Sequence, residues 1–128
     1  MNLEEIVELY KKEHNTENYH NLLKYVFKDI SQILWLPSRI REDNNGVDLK
    51  SVYDSNGKFY VVAYTNSKFI KEEDEIFIKM TIKGILEIIL ASEKCNGLCI
   101  DPDININLTN MYKQCILTKD DIIKIQSI

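Results

Sequence analysis

The sequence has few of the residues that interrupt helices and strands or that crosslink the chain. Its 128 residues include only four Gly, two Pro and three Cys. So little Gly and Pro excludes a collagen-like or low-complexity chain. The odd number of cysteines is untypical of a secreted domain held by disulfides. Since Cys95, Cys99 and Cys115 lie in or beside apolar segments, we expect their thiols to be buried in the core.

The sequence also lacks a long apolar run. The longest apolar-rich stretch, Ile82 to Ala91, contains Lys83 and Glu87 and is far shorter than the ~20 residues that a membrane span needs. The first residues carry acids and no uninterrupted apolar segment, unlike a secretory signal. We therefore expect a cytoplasmic protein that does not associate with a membrane.

An excess of basic residues is absent as well. Lys and Arg total 16 against 20 Asp and Glu, which gives a net charge of −4. Because the lysines are scattered among acids, the sequence argues against a nucleic-acid partner, which needs a concentrated basic face. Hydrophobic residues make up 45% and charged residues 28%, a globular balance. The length fits a single domain over residues 1–128 that can bury a core without a disulfide or a metal.

Apolar periodicity predicts four helices. The first covers Leu3 to Lys12, with Asn2 as N-cap and Glu5 completing a capping box. Because this helix is short for independent stability, we interpret residues 1–14 as a helical appendage packed on the domain. The other predicted helices run from a Thr16 cap to Ile30, from a Thr81 cap through Ile82 to Glu93, and from Thr118 through Ile125.

Strand patterns lie between the helices. Leu49 to Tyr53 and Phe59 to Tyr64 flank an Asn56-Gly57 turn, which predicts a hairpin whose second strand is central in a sheet. Ile33 to Leu36 is apolar on both faces, and Pro37 predicts that this strand is at an edge or bulged. Further strands are predicted at Ile76 to Met80, Leu98 to Ile100 and Tyr112 to Leu117. The predicted fold is α+β, a mixed five- to six-stranded sheet with helices packed against it.

Three patterns resemble binding motifs but fail in detail. Asp101-Pro102-Asp103-Ile104-Asn105 opens like a calcium loop, but Ile106 and Tyr112 stand where that loop needs Gly and Glu. We interpret it as a turn whose side chains bond local backbone. The Cys95–Cys99 spacing is not that of a zinc or thiol redox site. His14 and His20 do not share a helical face, so we expect them to face solvent or to cap helices.

Two further clusters are better interpreted as structural than as functional. Trp35, Tyr60 and Tyr64 could form an aromatic binding patch, but among Ile and Val we favour core packing. We interpret the acidic run Glu72 to Glu75 as a solvated loop that precedes a strand. No catalytic, cofactor-binding or metal-ligating residue is therefore predicted, and we expect the protein not to be an enzyme.

The order of segments resembles the N-terminal domain of the bacterial SseB-like (enhanced serine sensitivity) family. The matching segments are Leu22–Val26, Ile33–Pro37, the hairpin Val52–Asn66, Gly84–Leu90, the G-L-x-I-[ND]-P strand Gly97–Pro102, and Leu117–Ile122. The resemblance implies an α+β domain with a mixed sheet and supplies no catalytic residues. The helix Leu3 to Lys12 is an addition to the family pattern, and longer members of the family continue into a second domain.

Three functions compete on this basis. The leading hypothesis is a non-enzymatic protein-interaction or regulatory module with a protein partner, since no acid, base, nucleophile or metal set is organised. The alternative is an immunity or antitoxin-like protein whose acidic surface blocks a basic toxin. The third is a small-ligand sensor, for instance for an amino acid. It ranks lowest because Arg39 and Arg41 are the only guanidinium groups and lie beside a polar loop.

Overall fold

The computed structural model describes residues 1–70, 76–102 and 114–126. Its helices are α1 (Leu3–Lys12), α2 (Thr16–Lys28), α3 (Ile82–Ala91) and α4 (Lys119–Gln126). Its strands are β1 (Ile33–Ile40), β2 (Val47–Leu49), β3 (Ser51–Tyr53), β4 (Phe59–Ala63), β5 (Ile76–Thr81), β6 (Cys95–Ile100) and β7 (Cys115–Thr118), and Ser67–Phe69 forms a 3₁₀ turn. The predicted α+β class is confirmed.

The strands form two sheets rather than the predicted single sheet of five or six strands. The first has the order β2-β1-β5 with antiparallel neighbours. The second has the order β3-β4-β6-β7 and is mixed, because β4 and β6 are parallel while the outer pairs are antiparallel. The strand predicted at Leu49 to Tyr53 is divided between the two sheets, with β2 in the first and β3 in the second.

Lys50 is the point at which the chain passes from one sheet to the other. Its backbone N–H donates to the Pro37 carbonyl of β1 at 2.9 Å, and its carbonyl accepts from the Val62 N–H of β4 at 3.0 Å. Close by, Trp35 and Tyr64 exchange backbone hydrogen bonds of 2.9 and 2.7 Å. These bonds connect β1 to the end of β4, through Lys50 and through Tyr64, the residue that follows β4. They also give the buried backbone groups at the junction their partners.

Pro37 predicted a strand that is at an edge or bulged, and both alternatives are wrong, because β1 is the middle strand of its sheet and its register with β5 runs through Pro37 without a shift. Its carbonyl faces Lys50, away from β5. The nitrogen of a strand residue points to the same side as its carbonyl, so the missing N–H falls at the junction of the sheets. There, β1 changes partner from Tyr64 to β2. No ladder bond to β5 is lost, which is why a central strand tolerates this proline.

One hydrophobic cluster joins the helices to both sheets. Leu3 and Val7 of α1 are fully buried in it, beside Leu22 and Val26 of α2. Lys11 Nζ also donates to the Asp101 carbonyl at 2.6 Å, which links α1 to the end of β6. The helix within the predicted appendage, residues 1–14, thus supplies part of the core.

The predicted caps are confirmed for α1 and α3. Asn2 and Glu5 form the reciprocal capping box, and Thr81 Oγ1 accepts from the Gly84 N–H at 3.1 Å. The N-cap of α2 is Asn15 rather than Thr16, since its side chain accepts from the Asn18 N–H at 2.8 Å. Asn is a stronger N-cap than Thr.

Strand β6 begins two residues before Gly97, earlier than predicted, so Cys95 belongs to a strand and not to a helix end. Gly97 has φ +152°, and a Cβ there would lie 2.1 Å from the Leu117 carbonyl oxygen. Glycine therefore permits the close approach of β6 and β7. The prediction that the three cysteines are buried is confirmed, and none of the three is in a disulfide.

Several predictions fall on residues outside those described. They are the acidic run at 72–75, positions 103–112 of the calcium-like motif and the start of the last strand at Tyr112.

The core position of α3 gives a test of the packing. Ile85 is 1% exposed, so Ile85→Ala should lower the free energy of unfolding by ~2–5 kcal/mol. Ile88 on the same helix is exposed, and Ile88→Ala should cost less than about 1 kcal/mol. Chemical denaturation measures both, and a loss below about 1 kcal/mol for Ile85→Ala would show that this face is not core.

Candidate functional site

The outer face of the three-stranded sheet carries large apolar side chains that the core does not cover. Leu34 and Leu36 of β1 point into the core and are fully buried. Ile33 lies on the opposite face of β1 and is 51% exposed, and Phe77 of β5 is 46% exposed. Strand residues alternate between two faces. We call this surface the outer face, and it is formed by Ile33, Trp35, Arg39, Asp48, Phe77 and Lys79.

The aromatic groups of the outer face are held together by strand register. Trp35 lies opposite Lys79, and Pro37 lies opposite Phe77. The rings of Trp35 and Phe77 have centroids 4.9 Å apart at an interplanar angle of 56°. Lys79 Nζ sits 4.7 Å from the centroid of the Trp35 ring, within cation–π range. The two rings therefore form an ordered aromatic pair, and the Lys79 ammonium group lies over the Trp35 ring.

The described part of the outer face is locally positive, although the chain as a whole is acidic. Arg39 and Lys79 contribute two cations, while Asp48 contributes one anion. Asp48 Oδ1 accepts from Arg41 Nε at 2.9 Å, so a further cation neutralises it. This pair is exposed and adds little stability, but it offsets the single negative charge on the face.

Strand β5 forms an edge of its sheet among the described residues. The backbone bonds of Trp35 go to Tyr64, so Trp35 and Lys79 are a non-hydrogen-bonded pair and the polar backbone groups of Lys79 point away from β1. A lysine on an edge strand opposes pairing with another copy of the same strand. The edge is therefore poorly suited to extend the sheet with a second molecule.

A second feature is a cavity of about 350 Å³ between the N-terminal helices and the end of the second sheet. Tyrosines reach it from three elements, namely α1, α2 and β4. We call it the tyrosine pocket. Its lining residues are Tyr10, His14, Tyr19, Asp54, Tyr60, Gln114, Ile116, Thr118 and Asp121.

Two tyrosine–aspartate pairs shape the tyrosine pocket. The Tyr19 hydroxyl donates to Asp121 Oδ2 at 2.6 Å and accepts from the Thr118 N–H at 3.4 Å. The Tyr60 hydroxyl donates to Asp54 Oδ2 at 3.2 Å. Each carboxylate is thereby held by a phenol, as expected for charge-assisted hydrogen bonds.

Asp54 also builds the hairpin turn that sequence predicted. Its Oδ1 accepts from the backbone N–H groups of Asn56 and Lys58 at 2.8 and 3.0 Å, and Gly57 has φ +80°. These bonds and the Tyr60 hydroxyl outweigh partial desolvation, so the pKa of Asp54 is lowered. The turn therefore fixes an ionised carboxylate at the mouth of the pocket.

The aromatic wall of the tyrosine pocket includes His14. Its ring stacks on Tyr10 with centroids 4.3 Å apart and planes 12° apart. Desolvation lowers the pKa of His14, opposed by a bond with Gln114, so the neutral ring is favoured near neutral pH. Burial and then the hydrogen bond to Asp121 raise the pKa of Tyr19, partly opposed by the Thr118 N–H. Burial and then the charge of Asp54 raise the pKa of Tyr60.

The structure separates the aromatic cluster of Trp35, Tyr60 and Tyr64. Tyr60 and Tyr64 are buried, as the core interpretation predicts, whereas Trp35 lies on the outer face with Phe77. His20 is exposed, as predicted, and borders an apolar hollow between α2 and α4. The tyrosine pocket was not predicted, because its residues are far apart in sequence. In the sequence, Tyr10 and Tyr19 fit the apolar faces of amphipathic helices.

Asp101 binds a distant strand end and not the local backbone that sequence predicted. Its carboxylate accepts from the Thr65 N–H at 2.8 Å and the Thr65 hydroxyl at 2.6 Å. Its own N–H donates to the Ala63 carbonyl at 2.9 Å. The residue has φ +49°, a conformation that Asp tolerates better than most residues. Burial raises the pKa of Asp101, partly opposed by the Thr65 bonds. The contact between Asp101 and Thr65 closes the end of the parallel β4–β6 ladder.

Over the described ranges, no group of three or more His, Cys, Asp and Glu side chains could hold a metal ion. None of the helices in those ranges is long and apolar enough to cross a membrane. Comparison of the chain with known protein families, curated proteins and solved structures finds no match.

Loss of the Asp101 carboxylate should be costly. Asp101→Ala leaves the Thr65 donors without their acceptor and should lower the free energy of unfolding by about 2–3 kcal/mol. Thr65→Val removes only the hydroxyl and should cost about 1 kcal/mol. Denaturant titration at pH 7 measures both. Equal stability of Asp101→Ala and the wild type would contradict the role of this contact.

The raised tyrosine pKa values predict a fall in stability at high pH. Because Tyr19 keeps its proton to higher pH in the folded chain than in the unfolded chain, the folded state binds more protons above pH ~10. Stability should therefore decline as pH rises from about 10. Denaturation curves should show a shallower decline for Tyr19→Phe. Tyr53→Phe, at an exposed position on β3, is the matched control and should follow the wild type.

Proposed function

We propose that this chain is a non-enzymatic protein-interaction or regulatory module and that the outer face binds its partner. The observation that carries the proposal is the pair formed by the exposed Phe77 and the partly exposed Trp35 on an ordered sheet. Aromatic residues are the side chains that most often supply binding energy in protein interfaces. A pair already fixed by strand register loses little conformational freedom on binding.

The charge of the outer face indicates what kind of partner it fits. Arg39 and Lys79 flank the aromatic pair, and Asp48 is paired with Arg41. A protein surface with an apolar centre and carboxylates at its rim would complement this arrangement. A second copy of the chain is a poorer fit, since β5-to-β5 pairing would bring lysines together at the sheet edge.

The proposed membership of the SseB-like family agrees with the roles of the motif residues. Asp54 and Gly57 form the hairpin turn, Thr65 contacts Asp101, and Gly97 permits the close approach of β6 to β7. These structural roles support the proposal of a shared fold, and the resemblance supplies no catalytic residues. A family role in regulation through protein contact is consistent with that pattern.

A variant of the outer face tests the proposal. Proteins retained by the wild-type chain are identified and purified, and the affinity of each is measured for the variants by titration calorimetry. Phe77→Ser should weaken binding of the true partner by about 30-fold, the loss expected of a central interface aromatic. Ile123→Ser on α4 is the matched control, because Ile123 and Phe77 are both 46% exposed. Binding to this control should stay within about twofold of the wild type.

Two results would overturn the proposal. Partners that bind Phe77→Ser as tightly as the wild type would show that the outer face is not the interface. Sedimentation that shows a wild-type dimer, lost in Phe77→Ser, would identify the occupant as a second copy. Circular dichroism of each variant separates a binding defect from unfolding.

A further inference from the structure

We propose that the tyrosine pocket binds a small organic ammonium cation. This site is independent of the outer face, because the two share no residue. Its volume of about 350 Å³ lies within the range of small-molecule sites, about 300–1,000 Å³. The cavity is large enough for one compact amine and its first contacts.

The charge of the tyrosine pocket selects for a cation. Asp54 and Asp121 line it, and among the described residues of the lining there is no Lys or Arg. Lys58 acts on the charge of Asp54, but its side chain is exposed and is not among those lining residues. Because the neutral state of His14 is favoured, its ring adds no positive charge beside the two carboxylates. An anionic ligand would meet repulsion from both.

The aromatic groups narrow the choice to an organic ammonium ion. Tyr10, Tyr19 and Tyr60 line the same cavity as the two carboxylates, and His14 is stacked on Tyr10. Alkylammonium groups bind to the faces of aromatic rings by cation–π attraction, which a strongly hydrated metal ion uses less well. Carboxylates beside aromatic rings therefore favour an ammonium group with an alkyl body.

The two tyrosine–aspartate pairs make the pocket rigid before a ligand arrives. Tyr19 fixes Asp121 across α2 and α4, and Tyr60 fixes Asp54 across the hairpin. Each phenol donates its hydroxyl hydrogen to a carboxylate; the Tyr19 side chain is partly exposed, whereas Tyr60 is buried. Since the groups are already oriented, binding a small cation orders few side chains.

Choline and its neutral carbon isostere, 3,3-dimethylbutan-1-ol, provide a direct test on the wild-type protein. The two molecules have nearly the same shape and differ in charge. Amide chemical shifts are followed by NMR while each is added, in buffer of constant ionic strength. Choline should shift residues of the tyrosine pocket in a saturable manner, and the neutral isostere should not. 1,4-Diaminobutane as a third probe distinguishes a primary from a quaternary ammonium preference.

Matched variants assign the effect to the pocket. Asp121→Asn retains an acceptor for the Tyr19 hydroxyl but removes the charge, and should weaken choline or diamine binding by about tenfold or more. Asp120→Asn, one residue earlier, alters an exposed carboxylate outside the lining and should bind within about twofold of the wild type. Phe77→Ser on the outer face should also bind normally, which separates this proposal from the proposed function.

Three results would overturn the proposal. The first is that neither choline nor the diamine saturates any pocket resonance up to tens of millimolar. The second is that the neutral isostere binds as well as choline. The third is that Asp121→Asn binds choline as tightly as Asp120→Asn does. The first two comparisons use the wild-type chain, so they hold even if a variant fails to fold.

Discussion

The hydrogen bonds made by the backbone N–H and carbonyl of Lys50, together with the neighbouring exchange between Trp35 and Tyr64, determine how the two sheets meet. Lys50 donates to one sheet and accepts from the other, so neither sheet can slide without leaving buried backbone groups unpaired. The junction turns Leu34 and Leu36 towards the common core, and Trp35 between them must then face outward. The position of Trp35 on the outer face thus follows directly from the way in which the backbone hydrogen bonds are formed at the junction.

Polar contacts between distant parts of the chain complete the structure. Thr65 and Asp101 close the parallel ladder, and Tyr19 and Asp121 join the second helix to the last. Each links residues dozens of positions apart, so each forms only when the surrounding core has formed. The tyrosine pocket exists because these links hold helices and hairpin around a space that apolar packing leaves unfilled.

The sequence predicted those features that depend on near neighbours. The capping box at Asn2, the turn at Asn56-Gly57, the core stripe of α3 and the alternation of β5 are all local patterns, and all are present. It did not predict the division of one strand at Lys50 or the central place of Pro37, because both depend on which strands meet in space. The candidate sites were missed for the same reason: a cross-strand pair such as Trp35 and Phe77 has no fixed spacing along the chain.

The three buried cysteines, which form no disulfide, offer a way to follow the molecule in solution. Burial raises the pKa of Cys115 well above its usual value, and Cys95 and Cys99 lie in the adjacent strand of the same sheet. Since the thiolate is the reactive form, alkylating reagents meet no ready target in the folded chain. The rate of modification then reports how often the second sheet opens, which makes these cysteines natural reporters of local unfolding.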